Sequence, residues 1–249
     1  MLPIIQRWMV KLGRLDIYVN VALLSSYLTA PRKGHLEAVY CIYGFLKSHM
    51  RSTMVFDDAY VHWNDNDFTV YDWTDYYGDV KEKIPKNAPQ PRRQPVQIYV
   101  FVDASHAHNK LTRRSQTGIL LYLNKSPIIW YSKSQKTVET STFGSEFVAL
   151  RIATEMIKGL RYKLRMMGIP LEGPANVLVD NETVMKNSTI PSSTVQKKHN
   201  AICYHCVREA VASKIIRKAH IPTDQNLADM LTKTLGATKL HAFCQQILY

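Results

Sequence analysis

PVQIYVFVDASHAHNK (Pro95–Lys110) is the stretch whose reading decides the fold. Past Gln97, apolar and β-branched residues run unbroken from Ile98 to Val102, too short for a helix pattern and long enough for a buried strand. The run ends at Asp103, which predicts a strand over 96–103 delivering a carboxylate to its end. Downstream, QTGILLYL (116–123) and IIWYSK (128–133) read as two further strands. The turn residues Asn124, Lys125, Ser126 and Pro127 separate them. Three strands joined by short polar loops predict an antiparallel meander.

The pattern then changes. Phe147, Leu150, Ala153, Ile157, Leu160 and Leu164 recur at helical spacing. Ser141 or Thr142 can cap the start, and Gly168 with Pro170 ends it, so a helix is predicted over about 142–167. NVLVD (176–180) is a short strand that again stops at an acid. A brief helix from Glu182, a helix over 196–212, a strand over 214–221 and a last helix capped by Asp224 and ended near Gly236 complete the order β-β-β-α-β-α-α-β-α.

Upstream, residues 19–48 hold two helical patterns around Pro31, the second placing Leu36, Val39, Tyr40, Tyr43 and Leu46 on one face. IPKNAPQPRRQP (84–95) carries four prolines and reads as a linker. The expected organisation is a segment over 1–83, the linker over 84–95, an α/β domain over 96–236 and a tail over 237–249.

Charge narrows the function. The 249-residue chain carries +12, and the excess is uneven: residues 1–92 hold 11 Lys and Arg against 10 acids, residues 93–249 hold 21 against 10. A polyanion is the natural partner of the second part. No run approaches the roughly 18 apolar residues of a membrane helix, so no membrane is expected. Four cysteines, Cys41, Cys203, Cys206 and Cys244, are too few for a disulfide scaffold and suit free thiols in a reducing compartment.

Within that basic part, four acids fall at element ends: Asp103 and Asp180 at strand ends, Glu146 and Asp229 in the first turns of helices. Such ends gather on one edge of an α/β sheet. Glu146 and Asp229 also sit among core-facing residues, where a carboxylate needs a partner. Mg²⁺, a hard ion preferring oxygen ligands, supplies one, and two such ions about 4 Å apart suit phosphodiester hydrolysis. Each acid alone has a structural reading too, as a loop opener, a helix cap or a solvated group.

At these residues the chain resembles the ribonuclease H region of copia-type retrotransposon polyproteins. The resemblance is carried by FVDASHAHNKLTRRSQTG (101–118), PIIWYSKSQKTVETSTFGSEFVAL (127–150), GLRYKLRMMGIPLEGP (159–174), VDNETV (179–184), KKHNAICYHCVRE (197–209) and HIPTDQNLADMLTK (220–233). It implies a ribonuclease H-like fold: a mixed five-stranded sheet, three antiparallel strands then parallel additions, flanked by helices and preceded by a small helical segment. It implies metal-binding, catalytic roles for Asp103, Glu146, Asp180 and Asp229, with two Mg²⁺ ions or Mn²⁺ in their place. The substrate implied is an RNA–DNA hybrid. LLSSYLTAPRKGHLEAVYCIYGFLK (23–47) resembles the segment joining reverse transcriptase to ribonuclease H. The parent polyprotein's polymerase region is therefore an expected partner, while the chain itself is expected to lack polymerase activity. An intracellular location is implied, in cytoplasmic virus-like particles or the nucleus. The chain departs from the family pattern at Ser105, at Ala107-His108-Asn109 and at Gly144, none of them a predicted ligand. The alternative reading is a module that keeps the fold and nucleic-acid binding but has lost turnover.

For nucleic-acid contact the sequence offers Arg113, Arg114, Ser115 and Thr117 at the first hairpin, Lys133, Gln135 and Lys136 before the long helix, and Asn181 beside Asp180. His199, His205 and His220 stay outside the catalytic set.

Overall fold

A computed structural model describes residues 2–194 and 200–248, without the side chains of residues 2 and 3. His199 and the first turn of the helix expected over 196–212 lie outside the described residues. The elements are α1 (Leu2–Lys11), α2 (Tyr18–Ser25), α3 (Lys33–Ser48), α4 (Thr74–Tyr77), β1 (Ile98–Ser105), β2 (Gln116–Leu123), β3 (Ser126–Ser134), α5 (Thr142–Met166), β4 (Ala175–Val179), α6 (Glu182–Thr189), α7 (Ala201–Ala212), β5 (Ile216–His220) and α8 (Ala237–Ile247). The strands form one sheet in the order β3-β2-β1-β4-β5. β1, β2 and β3 pair antiparallel, while β4 joins β1 and β5 joins β4 in parallel. This is the mixed five-stranded sheet that the family resemblance implies, three antiparallel strands followed by two parallel additions.

β1 sits at the centre and is buried on both faces. Ile98, Val100, Val102 and Ala104 face a core shared with α5 and α7. Tyr99, on the other face, stacks on Tyr122 and meets Trp63 edge-on, in a core closed by α8. Asp103 does not end the strand as expected. Pairing with β2 carries β1 two residues further, to Ser105 opposite Gln116.

α5 starts where Ser141 accepts a hydrogen bond from the Gly144 amide, and ends at Gly168, whose φ of 71° favours glycine. Phe147, Leu150, Ala153 and Ile157 are fully buried along its stripe. Burying a side chain such as Phe147 stabilises by about 1.5–3 kcal/mol.

Three expectations need correction. The last helix predicted from Asp224 to Gly236 is a 3-10 turn, Leu227–Leu231, capped by the Asn226 side chain. All five of its residues are buried, so no helix with a single apolar stripe could satisfy them. Residues 237–247, expected as tail, form α8, which buries Phe243 and Ile247 one turn apart. In α3 the buried face is Val39, Ile42 and Leu46, whereas Leu36 and Tyr40 are exposed. α1 adds a further helix, whose buried Gln6 amide donates to the Val39 carbonyl. The helical segment is tied to the sheet by Trp130 of β3, whose indole N–H donates to the Val10 carbonyl at 2.8 Å.

Close approach fixes one glycine. Gly118 on β2 lies opposite Asp103. A Cβ there would come within 2.5 Å of the Thr232 methyl and 2.7 Å of the Ala228 carbonyl oxygen. The bare backbone lets the Leu227–Leu231 turn press against the sheet beside Asp103.

Candidate metal centre

Three elements deliver three carboxylates to one point. Asp103 comes from the central strand two residues before its end, Asp180 from the residue after β4, and Asp229 from the middle of the 3-10 turn. One oxygen of each lies within 4.8 Å of the others. Asp103 and Asp229 are buried, and Asp180 is half-buried. Parallel pairing of β4 with β1 places Asp180 beside Asp103, and the tight turn over Gly118 brings Asp229 down onto them.

Glu146, in the second turn of α5, stands outside this group of three. Its Oε1 accepts a hydrogen bond of 3.1 Å from the Asn181 amide, and Asn181 in turn caps α6 through the Val184 N–H. Asn181 thereby holds Glu146 next to Asp180.

The electrostatics record the crowding. Burial pushes the Asp103 carboxyl up to about 6. A hydrogen bond from the Thr232 hydroxyl opposes that rise, and the neighbouring Asp229 and Asp180 add to it. Burial pushes Glu146 up to about 8 against the pull of Asn181, with Asp103 and Asp180 again contributing. Like charges held this close disfavour the ionised state unless a cation joins them.

Two lysines partly answer this charge. Lys233 Nζ lies 2.7 Å from Asp229 Oδ1, and Lys239 Nζ, from α8, lies 2.7 Å from Oδ2. Burial works against the Lys233 ammonium, but its hydrogen bond with Asp229 and the surrounding acids hold it above the usual lysine value. Oxygen-only donors and an excess of negative charge suit a hard divalent cation.

Of the eight residues expected to touch nucleic acid, Asn181 bonds Glu146 and caps α6, and the other seven divide into two groups. Arg113, Arg114, Lys133 and Lys136 are exposed, with Arg113 at a positive φ of 57° in the β1–β2 loop. Ser115, Thr117 and Gln135 are buried and engaged internally. The Ser115 hydroxyl accepts from the Ala107 amide, and the Gln135 amide donates to the Thr117 hydroxyl and the Ser145 carbonyl. These three shape the hairpin and offer no surface to a ligand. His220 Nε2 lies 3.1 Å from the Asp180 carbonyl oxygen, and His205 meets the Tyr77 hydroxyl at 2.7 Å. Sequence reading missed Thr232, Lys233 and Lys239. Lys233 is four residues after Asp229, a spacing that could have flagged it; Lys239 carried no such signal.

No protein-family profile matches the chain. Its homologues are retrovirus-related Pol polyproteins of plant transposons. The chain is 32% identical over 150 residues to the polyprotein of transposon RE1 from Arabidopsis thaliana, a match covering 60% of this chain and 10% of the relative. It is 26% identical over 235 residues to that of transposon TNT 1-94 from Nicotiana tabacum, covering 94% of this chain and 15% of the relative. Among solved structures, LC11-RNase H1 in complex with RNA/DNA hybrid aligns with 18% identity and a TM-score of 0.44, over 55% of this chain and 94% of that one.

Proposed function

We propose that this chain, a relative of the Pol polyproteins of plant transposons, is the ribonuclease H part of such a polyprotein and hydrolyses the RNA strand of an RNA–DNA hybrid. The observation that carries this is the convergence of Asp103, Asp180 and Asp229 from three separate elements to within 4.8 Å. Asp103, Asp180 and Asp229 would hold the divalent cations, Mg²⁺ or Mn²⁺, with Glu146 completing the set. When bound, such ions activate water and stabilise the leaving oxygen of a phosphodiester.

The chain's own residues prepare that chemistry. Thr232 donates to Asp103 and fixes its carboxylate, and Asn181 holds Glu146 at the rim. Lys233 and Lys239 balance the charge on Asp229. The surrounding surface is basic, so the substrate's phosphates are attracted while the carboxylates stay together. Arg113, Arg114, Lys133 and Lys136, all exposed, would contact the backbone. The polymerase region of the parent polyprotein is the proposed covalent partner.

The test is cleavage of a labelled hybrid by the full chain with Mg²⁺, beside Asp180→Asn. That substitution keeps shape and removes charge from a ligand. The parent should cut only the RNA strand, and only with the metal. The variant should fall by at least about 100-fold, the upper end of what second-shell changes cost. A parent that binds hybrid in a salt-sensitive way but never cuts it overturns the hydrolase and leaves the binding module.

A further inference from the structure

A cleft of about 420 Å³ opens between α1, α2 and the end of β3. It takes no part in the carboxylate centre. Arg7 and Lys11 reach it from α1 and Lys133 from β3, and no Asp or Glu lines it. All three cations are exposed, and none forms an ion pair among the described residues. The hydroxyls of Ser25, Ser26 and Ser134 line the same space. Ser25 already orients Arg7 by accepting from its Nε at 3.0 Å. Lys11 is held over the Trp8 ring, 5.3 Å from its centroid. Unpaired guanidinium and ammonium groups beside hydroxyls are the usual donors to backbone phosphate.

Its position gives the cleft a direction. On β3, Ser132 and Lys133 pair with Gly118 and Thr117 of β2, which pair in turn with Asp103 and Ala104. The cleft edge is therefore two strand spacings from the Asp103 row, about 10 Å at about 4.8 Å per spacing. A duplex advances by that distance in about three base-pair steps of roughly 3.4 Å. We propose that this cleft binds the sugar-phosphate backbone of the nucleic acid on one side of the scissile site, so that α1 and α2 form one continuous phosphate track with the carboxylate centre. A free anion has no need of such alignment; a backbone strand does. The inference rests on the hybrid being the substrate, and it assigns to the N-terminal helices a role in holding it.

The experiment measures equilibrium binding of the full chain to a hybrid long enough to span both sites, across a salt series without Mg²⁺. The parent is compared with Arg7→Gln/Lys11→Gln/Lys133→Gln and with Lys83→Gln, an exposed lysine outside the cleft. Each phosphate contact contributes about 0.9 to the slope of log affinity against log salt, so the triple variant should lose about 2.7 from that slope. The Lys83→Gln control should lose none. Lys133→Arg, which keeps the charge, should restore the parent slope at that position. Thermal melting in parallel identifies a variant that fails to fold, and the single substitutions, each expected to lose about 0.9, then carry the measurement. Hybrid binding with an unchanged slope in the variants overturns the cleft while sparing the hydrolase. Cation-dependent binding without Mg²⁺-dependent cleavage overturns the hydrolase while sparing the cleft. Absence of any salt-sensitive binding by the parent overturns both. Displacement of the hybrid by inorganic phosphate at constant ionic strength would show a free-anion site instead of a backbone track, and would also overturn the inference.

Discussion

Lys218 offers the sharpest test of the packing, because replacing it should make the protein more stable. It lies on the edge strand β5 opposite Val177 of β4, yet its side chain is buried, at 2% exposure. Its ammonium nitrogen has no hydrogen-bond partner, and the nearest charge that bears on it is another cation, Arg208. Burial holds the amine well below its ordinary value of 10.5, with Arg208 adding to the depression. Leaving a buried donor unsatisfied costs about 1–3 kcal/mol. Lys218→Met keeps most of the volume, and swaps of that kind cost less than about 1.5 kcal/mol. Relief of the unsatisfied donor less that swap cost leaves a gain of up to about 3 kcal/mol near neutral pH. The pH dependence has a definite sign. Between the folded value and 10.5 the unfolded chain binds the proton and the folded one does not, so parent stability rises with pH across that window. The methionine advantage should shrink as pH climbs toward 10.5. Urea melts of parent and variant at several pH values measure it. A variant no more stable than the parent, or a gain independent of pH, refutes the assignment of an uncompensated amine in the core.

Two further substitutions probe other links. Gly118→Ala forces a Cβ onto the Ala228 carbonyl oxygen and the Thr232 methyl; urea melts should show a loss of about 1–3 kcal/mol, and hybrid cleavage should fall with it because the displaced turn carries Asp229. Glu82→Gln breaks the pairing with Arg161 at 2.6 Å and with Arg165, at a cost of about 3 kcal/mol by chemical denaturation. Burial raises the Glu82 carboxyl, but the two arginines outweigh it and hold it below 4.5, so its contribution is complete above that pH and lost as pH falls through the lowered value. The gap between parent and variant should close in acid.

The parts legible in sequence were those whose signal is local. β1, β2, β3 and α5 follow from uninterrupted apolar runs, turn residues and a stripe of helical period, and Asp103 and Asp180 follow from acids abutting such runs. What failed depends on contacts distant in sequence. α8 was unreadable because its buried positions, Phe243 and Ile247, are only two and the residues between them are mixed. The 3-10 turn read as a helix because LADML has helical propensity, yet the sheet and α8 bury it from all sides. α1 was obscured by Gln6, a polar residue buried only because the Val39 carbonyl of a different helix accepts its amide hydrogen. The meeting of Lys239 with Asp229 depends on the chain reversing through Gly236, which the pattern of 220–236 does not encode.

Lys218 also bears on how the carboxylate centre should be read. Both are places where buried charge lacks full compensation, so uncompensated charge alone does not identify a site. What separates them is convergence and access. Lys218 is a single buried amine whose nitrogen has no hydrogen-bond partner, and the charge that bears on it is the like charge of Arg208. The carboxylates arrive from β1, the end of β4 and the 3-10 turn, with Glu146 of α5 alongside, and Asp180 keeps the group open to solvent. Lysine compensation is also lopsided: Lys233 and Lys239 both contact Asp229, whereas among the described residues Asp103 accepts a side-chain hydrogen bond from the Thr232 hydroxyl and feels Lys233 without contact. A purely structural ion-pair network would distribute its cations among its acids, since each buried carboxylate costs several kcal/mol when unpaired. Two of these three acids have no lysine in contact, and that imbalance favours the proposed cation site over a structural ion-pair network.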